Sequence, residues 1–161
     1  MFFKNKNEKI LSEAINSNYA VIYFKPDGTI IKANEFFLKT MGYSLEEIVG
    51  KHHSIFCEEN YKNSNEYKEF WKKLNRGEFD SGEYLRIGKN GNHVWIQASY
   101  NPIFDMDGKP FRVVKYATDI THRKNTMFEV EKELKEFSNS LNTLLTTSIN
   151  MLKDAKFSNE N

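Results

Sequence analysis

In the stretch Gly50-Lys51-His52-His53-Ser54-Ile55-Phe56-Cys57, two adjacent histidines are followed by a cysteine four residues after His53. Residues four apart share one helical face, so an imidazole and a thiolate at this spacing can supply two ligands of a tetrahedral metal. Two more would be needed. His93 beside the Asn90-Gly91 turn and His122 far along the chain are poorly placed to provide them, which disfavours zinc. A haem asks for less, because one neutral imidazole, His52 or His53, binds the iron axially while an apolar pocket holds the porphyrin. The plainer reading has one histidine facing solvent and one packing, with Cys57 a small buried apolar residue.

Other chemistries find no support. There is no phosphate-binding glycine loop, no nucleophile elbow and no pair of metal-binding histidines on a long helix, so an enzyme is not expected. His122, in Asp119-Ile120-Thr121-His122-Arg123-Lys124, suggests a kinase phosphoacceptor, yet no nucleotide-binding domain follows it. Lys plus Arg (23) nearly balances Asp plus Glu (22), which removes the basic field that nucleic acid would require. The lone Cys57 rules out an intrachain disulfide framework, and no apolar run approaches the ~20 residues that span a bilayer. The expectation is a soluble, cytoplasmic protein without membrane insertion.

The elements that must position these residues are legible from periodicity. Through about Asn18 the chain is polar, with weak helical spacing at Ile10, Leu11, Ala14 and Ile15. Tyr19 to Asn34 reads as two strands around a Pro26-Asp27-Gly28 turn. Phe37, Leu38 and Met41 suit a short helix stopped by Gly42, and Ser44 with Glu47 forms a capping-box pattern for a second. Tyr67, Phe70, Trp71 and Leu74 fall at helical intervals, which predicts a longer helix over 64–75 ending at Gly77. Beyond it, alternation on both sides of Asn90-Gly91 and again after Gly108 predicts a three-strand meander. The fold class is α+β: a five-stranded antiparallel sheet with short helices on one face, and a ligand cavity between the layers.

The blocks DGTIIKANEFFLKTMGYSLEEIVGK, FWKKLNRGEFDSGEYLRIGKNGNHVWIQASYNPIFDMDGKP and VVKYATDIT, in that order, resemble the successive blocks of a PAS domain over about Tyr19 to Thr121. Asn34 after the second strand and the terminal Asp-Ile-Thr belong to that pattern. The likeness is to cytoplasmic PAS domains of bacterial chemotaxis transducers, including aerotaxis and biofilm-dispersal receptors. It implies sensing, with three parts: an N-terminal helical cap (1–18), a sensor domain (19–121) and a C-terminal signalling helix (122–161). It also implies two cofactor candidates. Haem b would take His52 or His53 as ligand, with Tyr116 as distal hydrogen-bond donor. FAD would lie against Trp71, although the family's histidine-proline-aspartate stretch is absent and Phe79-Asp80 stands where a tryptophan is expected. Asn34 joins these as a cofactor-side residue, while Trp71 and Trp95 both read equally as core. The reactive cysteine motif of photosensing flavin domains has no counterpart.

The C-terminal segment argues for an output on its own. Met127, Val130, Leu134, Phe137, Leu141, Leu144, Ser148, Met151 and Ala155 alternate in steps of three and four, a heptad seam whose simplest consequence is a parallel homodimer. Leu145, Ile149 and Leu152 widen the stripe, which admits a four-helix bundle, docking onto another helix, or a fold back over its own domain. At the junction, Thr121 is expected to cap the helix and Asp119 to anchor the strand end. In PAS domains the matching residues couple core to output. The sequence thus sets a ligand-responsive sensor against a cofactor-free adaptor.

Overall fold

The computed structural model describes Ile10, Ala14 and residues 18–159. Leu11 and Ile15, half of the expected N-terminal helical stripe, lie outside the described residues. The first hairpin comprises β1 (Ala20–Phe24) and β2 (Ile30–Ala33). Then come α1 (Glu35–Met41), α2 (Leu45–Ile48), a single 3-10 turn (His53–Phe56), α3 (Glu59–Lys62) and α4 (Asn65–Asn75). The meander is β3 (Asp80–Ile87), β4 (His93–Phe104) and β5 (Pro110–Asp119), and α5 runs from Thr121 to Asn159. All neighbouring strands are antiparallel, in the order β2-β1-β5-β4-β3.

Local chemistry explains the elements between β2 and β3. Asn34 caps α1: its Oδ1 accepts the Phe37 N–H at 2.9 Å and the Val21 N–H at 3.0 Å, and its Nδ2 donates to the Tyr19 carbonyl. Gly42 ends the helix in the left-handed region at φ 75°. Glu47 accepts the Ser44 N–H at 2.9 Å, and Ser64 accepts the Tyr67 N–H to start α4. The four apolar residues of α4, Tyr67, Phe70, Trp71 and Leu74, are all buried. Together with Phe24, Phe37, Phe56, Ile96 and Tyr100 they fill the layer between helices and sheet.

The 50–53 segment is laced to the first hairpin. Ile30 donates to the Lys51 carbonyl, Gly50 to the Ile30 carbonyl and His53 to the Gly28 carbonyl, so the two histidines are held in fixed register. Gly28, at φ 85°, is required there twice over: a Cβ at this position would stand 2.5 Å from His52 Nε2.

The chain divides into two units, one through Thr121 and one from His122. In the second, Val130, Leu134, Phe137, Leu141 and Leu144 are all exposed, at 44 to 62%. No helix among the described residues is long and apolar enough to cross a membrane.

Candidate functional site

Two neighbouring histidines reach opposite fates. His52 caps the 3-10 turn, its Nδ1 accepting the Ser54 N–H at 3.2 Å while its ring leans on Trp71. His53 is fully buried among Phe24, Phe56, Phe70 and Trp71. Both of its ring nitrogens are engaged, Nδ1 with the Tyr67 hydroxyl at 2.8 Å and Nε2 with the Tyr100 hydroxyl at 3.1 Å.

Tyr100 is the hub. Its hydroxyl accepts from Arg86 Nη2 at 3.2 Å, and a guanidinium can only donate. The phenol proton is therefore free to go to His53 Nε2, which leaves the imidazole proton on Nδ1 to be donated to Tyr67. This order requires a neutral His53. Burial, reinforced by Arg86 and Lys115, pushes its pKa well below the ordinary histidine value. Burial also pushes Tyr100 up to about 12, with Arg86 pulling the other way, and lifts Tyr67 above the usual phenol range. The Cys57 thiol, 3.7 Å from His53 Nδ1, is raised by burial and stays protonated.

Two buried cations complete the cluster. Lys115, on β5, lies 5.0 Å from the Tyr100 ring centroid and 5.7 Å from that of Phe37, and burial drives its pKa well down. Arg86, on β3, is 2% exposed; its guanidinium lies 4.8 Å from the Tyr84 ring centroid and donates to the Leu85 carbonyl. Its Nε has no partner, and no carboxylate among the described residues forms an ion pair with it. Beside Arg86 a cleft of about 590 Å³ opens between α4 and the β3–β4 sheet edge, with Tyr61, Phe70, Tyr84, Leu85 and Trp95 in its wall.

The residues expected at the site are only partly brought together. His53 and Trp71 share the core, with ring centroids 5.6 Å apart, and His52 lies at its edge. The Trp71 indole N–H is buried without an acceptor. Asn34 spends its side chain on the α1 cap and on β1. Tyr116 is a correction. Strand alternation sends Val113, Lys115 and Ala117 to the core and Tyr116 to the other face of the sheet, so it cannot be a distal donor beside His53. Sequence reasoning overlooked Arg86, Tyr100 and Lys115. The alternation Val94, Ile96, Ala98, Tyr100 would have found Tyr100, whereas charged residues on an inward face run against the pattern.

At the junction the expected tasks are exchanged. Asp119 Oδ1 accepts the Thr121 N–H at 2.8 Å and so caps α5. Thr121 Oγ1 accepts the Trp95 N–H at 2.9 Å, and the Ile120 N–H donates to the Trp95 carbonyl at 2.8 Å.

Cofactor and metal fit follow from this packing. Among the described residues no three metal-ligating side chains gather. Haem would need His53 to give up a bond to Tyr67 or Tyr100, and a flavin ring would have to displace aromatic neighbours already 4.9 to 6.2 Å apart. As packed, the residues fit neither group; haem and flavin stand as candidates by likeness, and no cofactor is established.

A family model described as the PAS fold matches residues 30–117. The biofilm dispersion protein BdlA of Pseudomonas aeruginosa is 39% identical over 131 residues, 81% of this chain and 31% of that protein. The aerotaxis receptor of Escherichia coli is 31% identical over 74 residues, 46% of this chain and 14% of that receptor. A solved structure concerning a flavin analogue and the mechanism of a light-oxygen-voltage domain superposes with a TM-score of 0.60 at 20% identity, over 79% of this chain and 96% of that one. The chain spans less than a third of the length of the curated relatives it matches.

Proposed function

Since the chain belongs to the PAS family, in the form carried by chemotaxis and aerotaxis transducers, we propose that it is a cytoplasmic sensory module and not an enzyme. Residues 19–121 form its sensor and 122–161 its dimerising output helix. The observation that carries this reading is the double attachment of Trp95. Trp95 stands in the wall of the cleft, and both of its backbone polar groups are bonded to the residues that begin α5. A ligand that displaces Trp95 acts on the first turn of the output helix without an intermediary.

For signalling, the ligand must favour one arrangement of α5 over another, because equal affinity shifts no equilibrium. The exposed stripe Val130, Leu134, Phe137, Leu141 and Leu144 supports a homodimer as the thing being rearranged. A chemotaxis or other signalling protein would then read the helix pair. The test is sedimentation of the chain with Leu134→Glu and Leu141→Glu together. The dimer is expected to disappear; one that survives both changes refutes the seam.

The ring-filled interior favours a second reading, a cofactor-free adaptor that only dimerises or recruits. An absorption spectrum before and after incubation with haem and with FAD separates the two. A Soret or flavin band lost in His53→Ala or in a Trp71 variant removes the adaptor.

A further inference from the structure

Arg86 presents an unsolved electrostatic problem in the core. A guanidinium has five N–H donors; two are spent here, on the Leu85 carbonyl and the Tyr100 hydroxyl, and Nε–H is buried without a partner. Lys115 can shed its charge by losing a proton, which its burial favours. Arg86 cannot. The phenols around it remain neutral, and Asp80, an acid of the same cleft, accepts from Tyr84 on one oxygen and from Lys73 on the other. A buried charge without a counter-ion is costly, and the missing group is an anion with acceptors spaced for a guanidinium edge.

The same residue lines the cleft beside α4, whose walls of Tyr61, Phe70, Tyr84 and Trp95 suit an apolar or aromatic body. The lining carries Glu58, Glu66, Glu69, Asp80 and Glu83 against Lys73, Arg76 and Arg86, an acidic excess that disfavours a second negative charge. We infer that the cleft at Arg86 is the input site of this sensor, and that it takes a small monocarboxylate whose single charge reaches Arg86 and whose apolar or aromatic body lies along Tyr61, Phe70 and Trp95. The inference rests on the sensory reading and gives its ligand a chemical class.

Three probes test it on the full chain, by thermal shift and by the side-chain Nε–H resonances of ¹⁵N-arginine-labelled protein. Benzoate is expected to bind saturably, to raise the melting temperature and to move one Nε–H signal. Benzamide, of the same shape without the charge, and succinate, with a second charge, are expected to bind at least tenfold more weakly. Arg86→Lys keeps a charge but loses the fork, and is expected to lose benzoate tenfold or more. If that variant does not fold, the wild-type contrast of benzoate with benzamide decides alone. No benzoate binding, or equal binding of benzamide, overturns the inference. A dimer lost in the Leu134 and Leu141 variant while benzoate fails to bind overturns the carboxylate and leaves the sensory module; benzoate binding with a dimer that survives does the reverse.

Discussion

The two units of the chain treat their apolar residues in opposite ways. In the sheet unit Phe24, Phe37, Phe56, Leu74 and Tyr100 are almost wholly withdrawn from water, and Arg86, Tyr100, His53 and Tyr67 are hydrogen-bonded in series. In the helix from His122 onward, leucines and phenylalanines of the same size stand exposed along one stripe. Burial of such a side chain contributes roughly 1.5–3 kcal/mol, so the first unit has already realised that gain within one chain. The second leaves such side chains exposed. The proposed signalling role would use such a division: a core with one arrangement and a helix whose apolar stripe is open to a partner.

The largest effect separates the units directly. Phe56→Ala, in the core, is expected to destabilise the sheet unit by about 3–5 kcal/mol, read from urea unfolding followed by tyrosine and tryptophan fluorescence. Phe137→Ala, on the stripe, should leave that transition within about 0.5 kcal/mol while weakening self-association in sedimentation. Equal losses in both experiments would mean that the helix stripe packs on its own domain and that the contrast is false.

A second test addresses the polar network. His53 is kept neutral in the folded state, with its pKa well below that of the unfolded chain. Once the pH falls below the unfolded histidine value of about 6.5, the unfolded state binds a proton that the folded state refuses. Stability due to His53 is thus present above that pH and is lost below it, by about 1.4 kcal/mol per pH unit. Urea titrations at pH 7, 6 and 5 should show this slope, and His53→Gln should flatten it. A wild-type profile as flat as that of the variant would place a proton on His53 in the fold and undo the donor order from Arg86 to Tyr67.

These contrasts also mark where the sequence stops being readable. Caps and helix faces were legible because they depend on short-range chemistry: Asn34, Ser44 with Glu47, Ser64 and the four apolar positions of α4 all lie within a turn of what they serve. The five strands followed from alternation and turn residues. The facing of β5 did not, because Val113, Val114, Lys115, Tyr116 and Ala117 offer an apolar residue to either face and a lysine reads as solvent-exposed. That one-residue ambiguity sent Tyr116 to the core in place of Lys115. The choice between His52 and His53 was equally closed to periodicity, since it is set by pairing with Gly28 and Ile30, more than twenty residues earlier.

The junction gives a smaller effect. Thr121→Val keeps the shape but removes the acceptor of the Trp95 N–H, and should cost about 1–2 kcal/mol. Faster hydrogen exchange at Trp95 is expected with it, while Asp119 still caps α5. Unchanged exchange at Trp95 would show that the hydroxyl does not hold the strand to the helix.

The smallest expected effect separates the two faces of β5. Tyr116 donates no hydrogen bond among the described residues and lies on the face opposite His53, beside Tyr23, with its hydroxyl pKa raised by burial. Tyr116→Phe should therefore change stability by less than about 0.5 kcal/mol and leave benzoate binding intact. Lys115→Met, one position earlier and facing Tyr100, removes a buried amine that has no carboxylate partner and should hold or raise the urea midpoint. The pair works as a register measurement made by mutation. If Tyr116→Phe proves the more disruptive of the two, β5 is turned over in solution, and Tyr116 rather than Lys115 belongs beside the hub.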